Sequence, residues 1–410
     1  MSTSSASRPE PAVPSGHLRP ALSRVTRPVL PRAARDRIPY GAPLALALFA
    51  AVRLAGVAAV IVGARLDSHS AGRILAHSWD SRWYLHIATH GYGRLIWITP
   101  TGGVQTDWAF FPLYPLLIRS ATAALPFVTP GQAALLVAWG AAIVAAYGVY
   151  AIGHHLYGRA AATALVALWA VLPHAVELTI AYTESLFAAL AAWALYSVLK
   201  GRWVWAGALA AAAGLARPTG FAVAVAVCAA AAHEVLSRRG RVPVRLWAGA
   251  LLAPLGWFGY VLWVGWRTGD PFGGYFRVQS AWDSRFDLGV GAVRFLGALF
   301  LHGGGVVYPT ALIIIIVCLV LFGLLCLDRA PLALVVFAGV LLLLVVGASG
   351  SFSSKPRFLL PVFPLLVPPA LALARTWRVR PAQALLVGVA LAVVSLLYGA
   401  YLLVVAHSPL

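Results

Sequence analysis

The chain has 410 residues, of which 61% are hydrophobic and only 10% are charged. Soluble domains contain about 25% charged residues, so this composition excludes a soluble globular protein and indicates a polytopic membrane protein. The formal net charge is +19, but the basic residues gather in the N-terminal tail and in short loops, as the positive-inside rule predicts for cytoplasmic segments. We therefore expect the membrane, and no nucleic acid, as a partner.

Residues 1–39 are rich in Ser, Pro, Ala and Arg and contain no aromatic residue. Such a segment cannot bury a core, so we predict a disordered, basic tail that lies in the cytoplasm. The apolar run at 41–64 follows directly and is long enough to cross a bilayer, which takes about 20 residues. The integral membrane domain is then predicted over 40–410.

Apolar runs continue to the end of the chain and predict an all-α bundle of about 11 transmembrane helices. The predicted helices cover 41–64, 131–153, 160–172, 185–199, 203–215, 219–236, 247–266, 309–327, 331–347, 358–374 and 382–406. Between them, the turns at 154–159, 200–202, 238–245 and 375–380 are basic and are therefore expected inside.

Two longer polar segments then face outward, a first outer loop at 66–130 and a second at 267–308. The first is expected to carry interfacial or re-entrant helices. In the second, residues 288–308 are apolar but short and are broken by glycines, which is typical of a re-entrant or interfacial segment. We expect a multi-pass protein of the inner (plasma) membrane with a cytoplasmic N-terminus.

Most acidic residues of the membrane part map to the outer side, beside Arg, Trp and Tyr. A carrier would more often place ionisable groups within its spans and would contain repeats. We find no acid in the middle of a predicted span and no convincing repeat. The pattern favours a site at the outer membrane surface, where a lipid-linked substrate can enter sideways.

The densest polar and aromatic stretch is 77–115, which begins H-S-W-D-S-R-W-Y-L-H-I-A-T-H-G-Y-G and ends A-F-F-P-L-Y-P. Its Trp79-Asp80, Trp83-Tyr84 and Gly91-Tyr92 pairs resemble the signature of the PIG-V mannosyltransferases, with the bacterial branch the closer match. This group is part of the GT-C superfamily of polyprenyl-phosphate-sugar-dependent glycosyltransferases. Three later segments are similar to further motifs of the family: 182–187, 214–220 and 357–359.

The resemblance implies a GT-C-like bundle with a large first extracytoplasmic loop. It also implies an inverting transfer of a sugar, mannose by the nearest match, from a polyprenyl-phosphate carrier to a hydroxyl of a lipid or glycan acceptor. The run Arg217-Pro218-Thr219-Gly220 departs from the Arg-Ser-Asn-Gly of the eukaryotic enzymes and leaves the acceptor open. Two alternatives stay open: a carrier or flippase for a lipid-linked sugar, and a GT-C enzyme that uses a different sugar.

In the family, an Asp of the first outer loop is the usual catalytic base, and Asp80 matches it. From the residues alone, a carboxylate between Trp79 and Trp83 at a membrane interface loses water, which raises its basicity. The structural alternative is an N-cap of a helix that starts near Ser81. Asp107 has three open roles: a metal ligand beside Asp80, a group that orients the acceptor, or a loop acid outside the site.

Cations are needed to stabilise the departing phosphate. Arg217 is the first choice because it precedes a proline and the N-terminus of the next helix. Lys355 and Arg357 are the second choices, Glu184 could bind sugar hydroxyls or hold the first loop, and Tyr275, Arg277 and Gln279 of the second loop form a candidate sugar-facing set. No cofactor is certain. His86 and His90 lack a third ligand, so the metal is unknown and a divalent ion stays open.

Overall fold

The computed structural model describes residues 41–99, 103–302 and 305–406, and the tail predicted at 1–39 lies outside them. Apart from one short β-hairpin, the regular structure of these residues is helical. The predicted all-α class is therefore confirmed. The helices follow the apolar runs of the sequence, and proline and glycine residues set many of their ends.

The first part of the chain has two long helices with a compact segment, the predicted first outer loop, between them. Helix α5 begins with a capping box, in which Thr129 and Gln132 bond to each other's backbone N–H groups. The elements are α1 (Gly41–Leu66), α2 (Ala71–His77), α3 (Asp80–His90), β1 (Ile96–Ile98), β2 (Val104–Thr106), α4 (Leu113–Ala124) and α5 (Pro130–Tyr157). Strands β1 and β2 pair antiparallel, with Trp97 opposite Gln105. The predicted first outer loop is thus a folded unit.

The middle of the chain is a set of shorter helices that pack closely on α5 and on one another. They are α6 (Arg159–Ala170), α7 (Glu184–Leu199), α8 (Trp203–Ala216), α9 (Phe221–Ser237), α10 (Val244–Leu252) and α11 (Leu255–Arg267). Helices α8 and α10 touch through glycine: a Cβ on Gly207 would lie 2.2 Å from the carbonyl oxygen of Gly249. Only a residue without a side chain fits there.

The last part begins with the second outer segment and ends with an apolar helix. Its elements are α12 (Gly274–Ser280), α13 (Val290–His302), α14 (Val307–Leu327), α15 (Leu332–Gly347), α16 (Lys355–Leu359), α17 (Val367–Val379) and α18 (Pro381–Ala400). A π-helical turn, Tyr401–Val405, extends α18. The segments Phe352–Leu359 and Phe363–Val379 meet at a bend of 74°. The region 288–308, for which a re-entrant or interfacial piece is predicted, contains α13.

Six helices of the described residues are long and apolar enough to cross a membrane, or seven if the bent pair counts as one span. The chain is thus a multi-pass membrane protein, but the predicted count of about 11 is not confirmed. All the predicted runs contain helix, although 247–266 and 358–374 are interrupted, and four of the others form helices of 12, 16, 14 and 16 residues. Apolar composition does not fix helix length: α6, for example, ends before Pro173, where proline disfavours a helix.

A buried arginine of α1 holds the break between α6 and α7. The Arg53 side chain donates hydrogen bonds to the carbonyl oxygens of Ala170 and Ala175, on either side of the end of α6. From the other side, Ser395 Oγ donates to the Leu172 carbonyl oxygen at 2.7 Å. These bonds satisfy one carbonyl at the end of α6 and two carbonyls of the irregular segment that follows it. The irregular segment 171–183 is thereby fixed within the bundle.

Candidate active site

Four charged side chains from distant parts of the chain meet in one group, which we call the acid–arginine cluster: Asp80, Glu184, Arg217 and Arg357. Arg357 Nη2 lies 2.7 Å from Asp80 Oδ2, and Arg357 Nε lies 3.2 Å from Glu184 Oε1. Arg217 Nη1 lies 2.8 Å from the same Glu184 oxygen. The ion pairs therefore run in a row, from Asp80 through Arg357 and Glu184 to Arg217.

The cluster forms where helix ends converge. Asp80 is the first residue of α3, and Glu184 is the first residue of α7. Each carboxylate thus sits at the positive end of a helix dipole, whereas Arg217 directly follows α8, at its negative end. Pro218 comes next and stops α8 at this point. Each of these three charges occupies the helix end that favours its sign.

Two hydrogen bonds join the segment before α7 to α2 and to the start of α3. The Ala181 N–H donates to the Leu75 carbonyl oxygen at 2.9 Å. In return, Ser81 Oγ donates to the Ala181 carbonyl oxygen at 3.0 Å, and Ser81 is completely buried. The bonds on either side of Asp80 fix its position relative to Glu184.

Burial differs sharply among the four members. The side chains of Glu184, Arg217 and Arg357 are 2%, 6% and 7% exposed, respectively. The Asp80 side chain is 25% exposed. Asp80 is therefore the member of the cluster that a molecule from outside can reach, and the other three charges form its buried support.

Aromatic rings surround the two guanidinium groups. Arg357 Cζ lies 5.0 Å from the centre of the Tyr182 ring and 4.7 Å from that of Phe358. Arg217 Cζ lies 5.2 Å from the Phe358 ring and 5.8 Å from the Phe187 ring. Phe358 thus contacts both cations, and cation–π attraction helps to hold them in a site with little water.

The backbone just before Asp80 is unusual. Trp79 has φ 37° and ψ −110°, and it is the N-cap of α3, without a side-chain capping bond. A non-glycine residue with positive φ stores strain, which recurs at functional sites. The alternative interpretation, in which Asp80 is the N-cap of a helix starting near Ser81, is wrong: Asp80 already has helical geometry because Trp79 makes the turn.

Two further buried groups lie near the cluster, and the sequence did not place them in the site. They are Glu177, in the 3₁₀ turn Ala175–Thr179, and His174 just before it. Among the described residues, neither carboxylate oxygen of Glu177 and neither ring nitrogen of His174 has a hydrogen-bond partner. In the sequence, Glu177 lies between the predicted helices 160–172 and 185–199, and no motif distinguishes it.

Burial shifts the pKa values of these groups towards their uncharged forms. It raises the pKa of Asp80, although Arg357 opposes the shift, and Glu184 adds to it. Although a quarter of the side chain is exposed, the surrounding protein excludes enough water for burial to dominate. Burial also raises the pKa of Glu177 well above its ordinary value and lowers the pKa of His174 to about 3. These shifts favour the uncharged forms of both groups, and His174 is neutral near pH 7.

Asp107 lies apart from the cluster and has a structural setting. It begins a 3₁₀ turn after β2 and is completely buried. Its oxygens accept the Gly93 N–H at 2.9 and 3.0 Å, the Arg94 N–H at 3.3 Å and the Leu95 N–H at 3.4 Å. The three donors precede β1, so Asp107 closes the base of the hairpin. Of its three open roles, this geometry favours the one outside the site.

Lys355 is close to Arg357 in sequence, but its ammonium group has other partners. Lys355 Nζ donates to the Val345 carbonyl oxygen at 2.6 Å and to the Ala348 carbonyl oxygen at 2.5 Å. These carbonyls lie at the end of α15, where a cation complements the helix dipole. The structure therefore places Lys355 as a helix cap beside the cluster.

The three predicted residues of the second outer loop lie on α12, next to the first outer segment. Gln279 Nε2 donates to the Tyr275 hydroxyl at 2.9 Å and to the Ala109 carbonyl oxygen at 3.1 Å. Arg277 Nη1 pairs with Asp270 Oδ2 at 3.0 Å, and its side chain is 65% exposed. Trp282 stacks edge-on against Trp83 with ring centres 4.9 Å apart. Their contacts dock the two outer segments together.

Among the described residues, no three His, Cys, Asp or Glu side chains are placed to hold a metal ion. In the cluster, each of the two ion-paired carboxylates already faces a guanidinium, and the arginines would repel a cation. His86 and His90 stack with ring centres 4.6 Å apart, without a third ligand. These residues do not fit a divalent metal, and we derive no step through one.

No protein-family model matches the sequence, and no curated protein matches it. Solved structures match by fold. The oligosaccharyltransferase AglB of Archaeoglobus fulgidus matches in its apo form with a TM-score of 0.51 and 16% identity, over 89% of this chain and 56% of that one. The same enzyme in complex with an inhibitory peptide and a dolichol-phosphate matches with a TM-score of 0.50 and 14% identity, over 90% of this chain and 56% of that one. ArnT of Cupriavidus metallidurans bound to undecaprenyl phosphate matches with a TM-score of 0.49 and 15% identity, over 83% of this chain and 62% of that one.

The two AglB matches show that the chain shares the GT-C fold of these enzymes. The chain covers 56% of the length of the AglB chains that it matches. At such low identity a shared fold does not establish a shared reaction. The ArnT match has a lower score, and no conclusion depends on it.

Proposed function

We propose that this protein is an inverting glycosyltransferase that moves a sugar, mannose in the first instance, from a polyprenyl-phosphate carrier to a hydroxyl of a lipid or glycan acceptor. The observation that carries the proposal is the acid–arginine cluster, which exposes one carboxylate and buries two cations behind it. The GT-C fold supports the reaction class, because AglB binds a dolichol-phosphate in one of its structures. The choice of mannose depends on the motifs that resemble those of the PIG-V enzymes.

The proposed reaction needs a base and a stabilised leaving group. Asp80 takes the proton of the acceptor hydroxyl as the hydroxyl oxygen attacks the anomeric carbon, and the bond from that carbon to the phosphate oxygen breaks. The electron pair of this bond goes to the phosphate, and the proton ends on Asp80. Attack from the side opposite the phosphate inverts the configuration. The raised pKa of Asp80 suits this role, because a base is most effective when its pKa approaches the working pH.

The departing phosphate needs positive charge, which Arg357 and Arg217 supply. Both guanidiniums are almost fully buried, where electrostatic stabilisation is stronger than in water. Arg357 contacts Asp80 directly, so it is the cation nearest to the base. Sequence reasoning preferred Arg217, which reaches Asp80 only through Glu184 and Arg357. We assign Arg357 the main contact with the phosphate and Arg217 the supporting one.

We place the reaction on the outer face of the inner membrane. Asp80 and Arg217 fall in segments that the basic cytoplasmic turns assign to the outside. Labelling of single cysteines in whole cells, on a background without Cys228, Cys318 and Cys326, tests this. Ile98→Cys, at the exposed tip of β1, should react with an impermeant maleimide, and Arg239→Cys should react only after lysis. The reverse pattern would overturn the orientation.

The activity itself is tested with the purified full-length protein in liposomes. Labelled polyprenyl-phosphate-mannose is supplied with lipid extract as acceptor, and matched donors carry other hexoses or pentoses. Transfer of label from the mannose donor supports the proposal. Transfer only from another donor would keep the enzyme class and replace the sugar. If no donor reacts and the protein instead moves the donor across the bilayer, it is a carrier and the proposal fails.

A further inference from the structure

A second basic site lies at the same end of the bundle, outside the acid–arginine cluster. A cavity of about 500 Å³ opens between α2, the start of α3 and the start of α5. Its lining includes Arg73, His77 and Arg82 and no acidic residue. Among the described ion pairs, none joins Arg73 or Arg82 to a carboxylate. The cavity therefore holds two arginines that no carboxylate in the described part of the chain pairs with.

The donors of the cavity come from side chains. Arg82 Nε donates to the His77 carbonyl oxygen at 3.0 Å, which leaves its two Nη groups for a ligand. The start of α5 adds little, because Thr129 and Gln132 cap each other. Gly131 lets His77 come close: a Cβ there would lie 2.9 Å from His77 Nε2. A larger residue at position 131 would push the imidazole away.

Below the cavity, α5 presents an apolar stripe that suits a lipid chain. Leu136, Trp139 and Ile143 are 48%, 39% and 41% exposed. Their spacing of three and four residues places them on one face of α5, directly after Leu135, which lines the cavity. Because α5 is a candidate membrane span, a stripe on its outward surface faces acyl chains. A basic cavity above an apolar stripe has the polarity of a phospholipid.

We propose that this cavity binds the phosphate group of an anionic membrane lipid, whose chain lies along Leu136, Trp139 and Ile143. Arginine is suited to phosphate because its planar donors match the phosphate oxygens. His77 and Arg82 lie on either side of Trp79 and Asp80 in sequence. A lipid held by both residues would stiffen the strained turn from α2 to α3. None of the residues that line the cavity belongs to the acid–arginine cluster, so the proposed lipid site differs from the proposed catalytic residues and its test does not depend on catalysis.

The test measures lipid binding to the full-length protein in a phosphate-free maltoside detergent, by native mass spectrometry. The probes are phosphatidylglycerol, diacylglycerol as the lipid without phosphate, and inorganic phosphate. We expect phosphatidylglycerol to bind more tightly than diacylglycerol and to resist displacement by millimolar inorganic phosphate. Arg73→Gln/Arg82→Gln should weaken the binding of phosphatidylglycerol about tenfold, which corresponds to about 1.4 kcal/mol for the two lost charges together.

The matched control is Arg94→Gln/Arg119→Gln, which removes two exposed charges from the same outer segment but none from the cavity. It should bind phosphatidylglycerol as the wild type does. Equal loss in both double variants, or no loss in either, would overturn the proposal. If inorganic phosphate displaces phosphatidylglycerol efficiently, the cavity binds free phosphate and the proposal of a lipid ligand is wrong. If the loss of the Arg82 hydrogen bond prevents folding, the single variant Arg73→Gln is the test, and its affinity for phosphatidylglycerol should fall about threefold.

Discussion

Asp80 and Asp107 lie in the same polar stretch of sequence, but their surroundings in the fold are opposite. Asp107 is completely buried, and backbone N–H groups of three consecutive residues bind its oxygens. Asp80 is a quarter exposed and contacts a single guanidinium through one oxygen. A carboxylate that backbone donors satisfy holds a fold together, whereas one that keeps an accessible face can take part in chemistry. The contacts of a residue distinguish the two roles.

The largest expected effect is the loss of sugar transfer when the Asp80 carboxylate, but not that of Asp107, is neutralised. Asp80→Asn keeps the shape and removes the base, so sugar transfer should fall about a thousandfold, within the range of general-base catalysis. Thermal stability should fall by less than the loss expected for Glu184→Gln, because Glu184 still pairs with both arginines and the Asp80 side chain is a quarter exposed. The measurement is single-turnover transfer from the labelled donor by purified protein. Retained transfer at more than a tenth of the wild-type rate would remove Asp80 from the mechanism.

Glu184→Gln tests the buried half of the cluster. Both arginines bind the same Glu184 oxygen, so neutralising it leaves two buried cations with one carboxylate partner. Breaking a buried ion pair in this way should lower the free energy of unfolding by about 3 kcal/mol. Thermal unfolding in detergent measures the loss. Arg238→Gln is the matched control: it breaks the exposed pair with Glu234, and a loss as large there would contradict the account.

Asp107→Asn should act on stability more than on chemistry. An amide NH₂ would face backbone donors that the carboxylate now accepts, and a buried donor without an acceptor costs about 1–3 kcal/mol. We expect a fall of about 2 kcal/mol in the free energy of unfolding, with a matching loss of the ordered hairpin by hydrogen exchange at Gly93 to Leu95. Unchanged exchange protection there would show that Asp107 does not hold the hairpin.

Arg277→Gln should have the smallest effect. Its pair with Asp270 is mostly exposed, and such pairs contribute less than about 1 kcal/mol. The midpoint of thermal unfolding should therefore fall by less in Arg277→Gln than in Asp107→Asn. A selective rise in the donor KM, with stability unchanged, would instead return Arg277 to the sugar-binding set that its sequence neighbours suggested.

The sequence predicted the helical class, and it indicated each member of the acid–arginine cluster individually as a candidate site residue. It could not predict their pairing, because Asp80 and Arg357 are 277 positions apart and meet only through tertiary packing. For the same reason it ranked Arg217 above Arg357. It also could not show that backbone groups satisfy Asp107 and Lys355, because such donors and acceptors are present at every residue. The predicted count of about 11 spans is not confirmed, because four of the apolar runs form helices of only 12 to 16 residues and composition alone does not show helix length.

The most direct test of the central claim is the pH dependence of kcat/KM for sugar transfer. Asp80 acts as a base only when deprotonated, so transfer should fall as the pH drops through its raised pKa, above the ordinary value of 3.8. Arg357 lowers this pKa, so Arg357→Gln should move the acidic limb to higher pH, and Arg357→Lys, which keeps the charge, should leave it close to that of the wild type. An acidic limb that stays in place in Arg357→Gln would contradict a base held by Arg357.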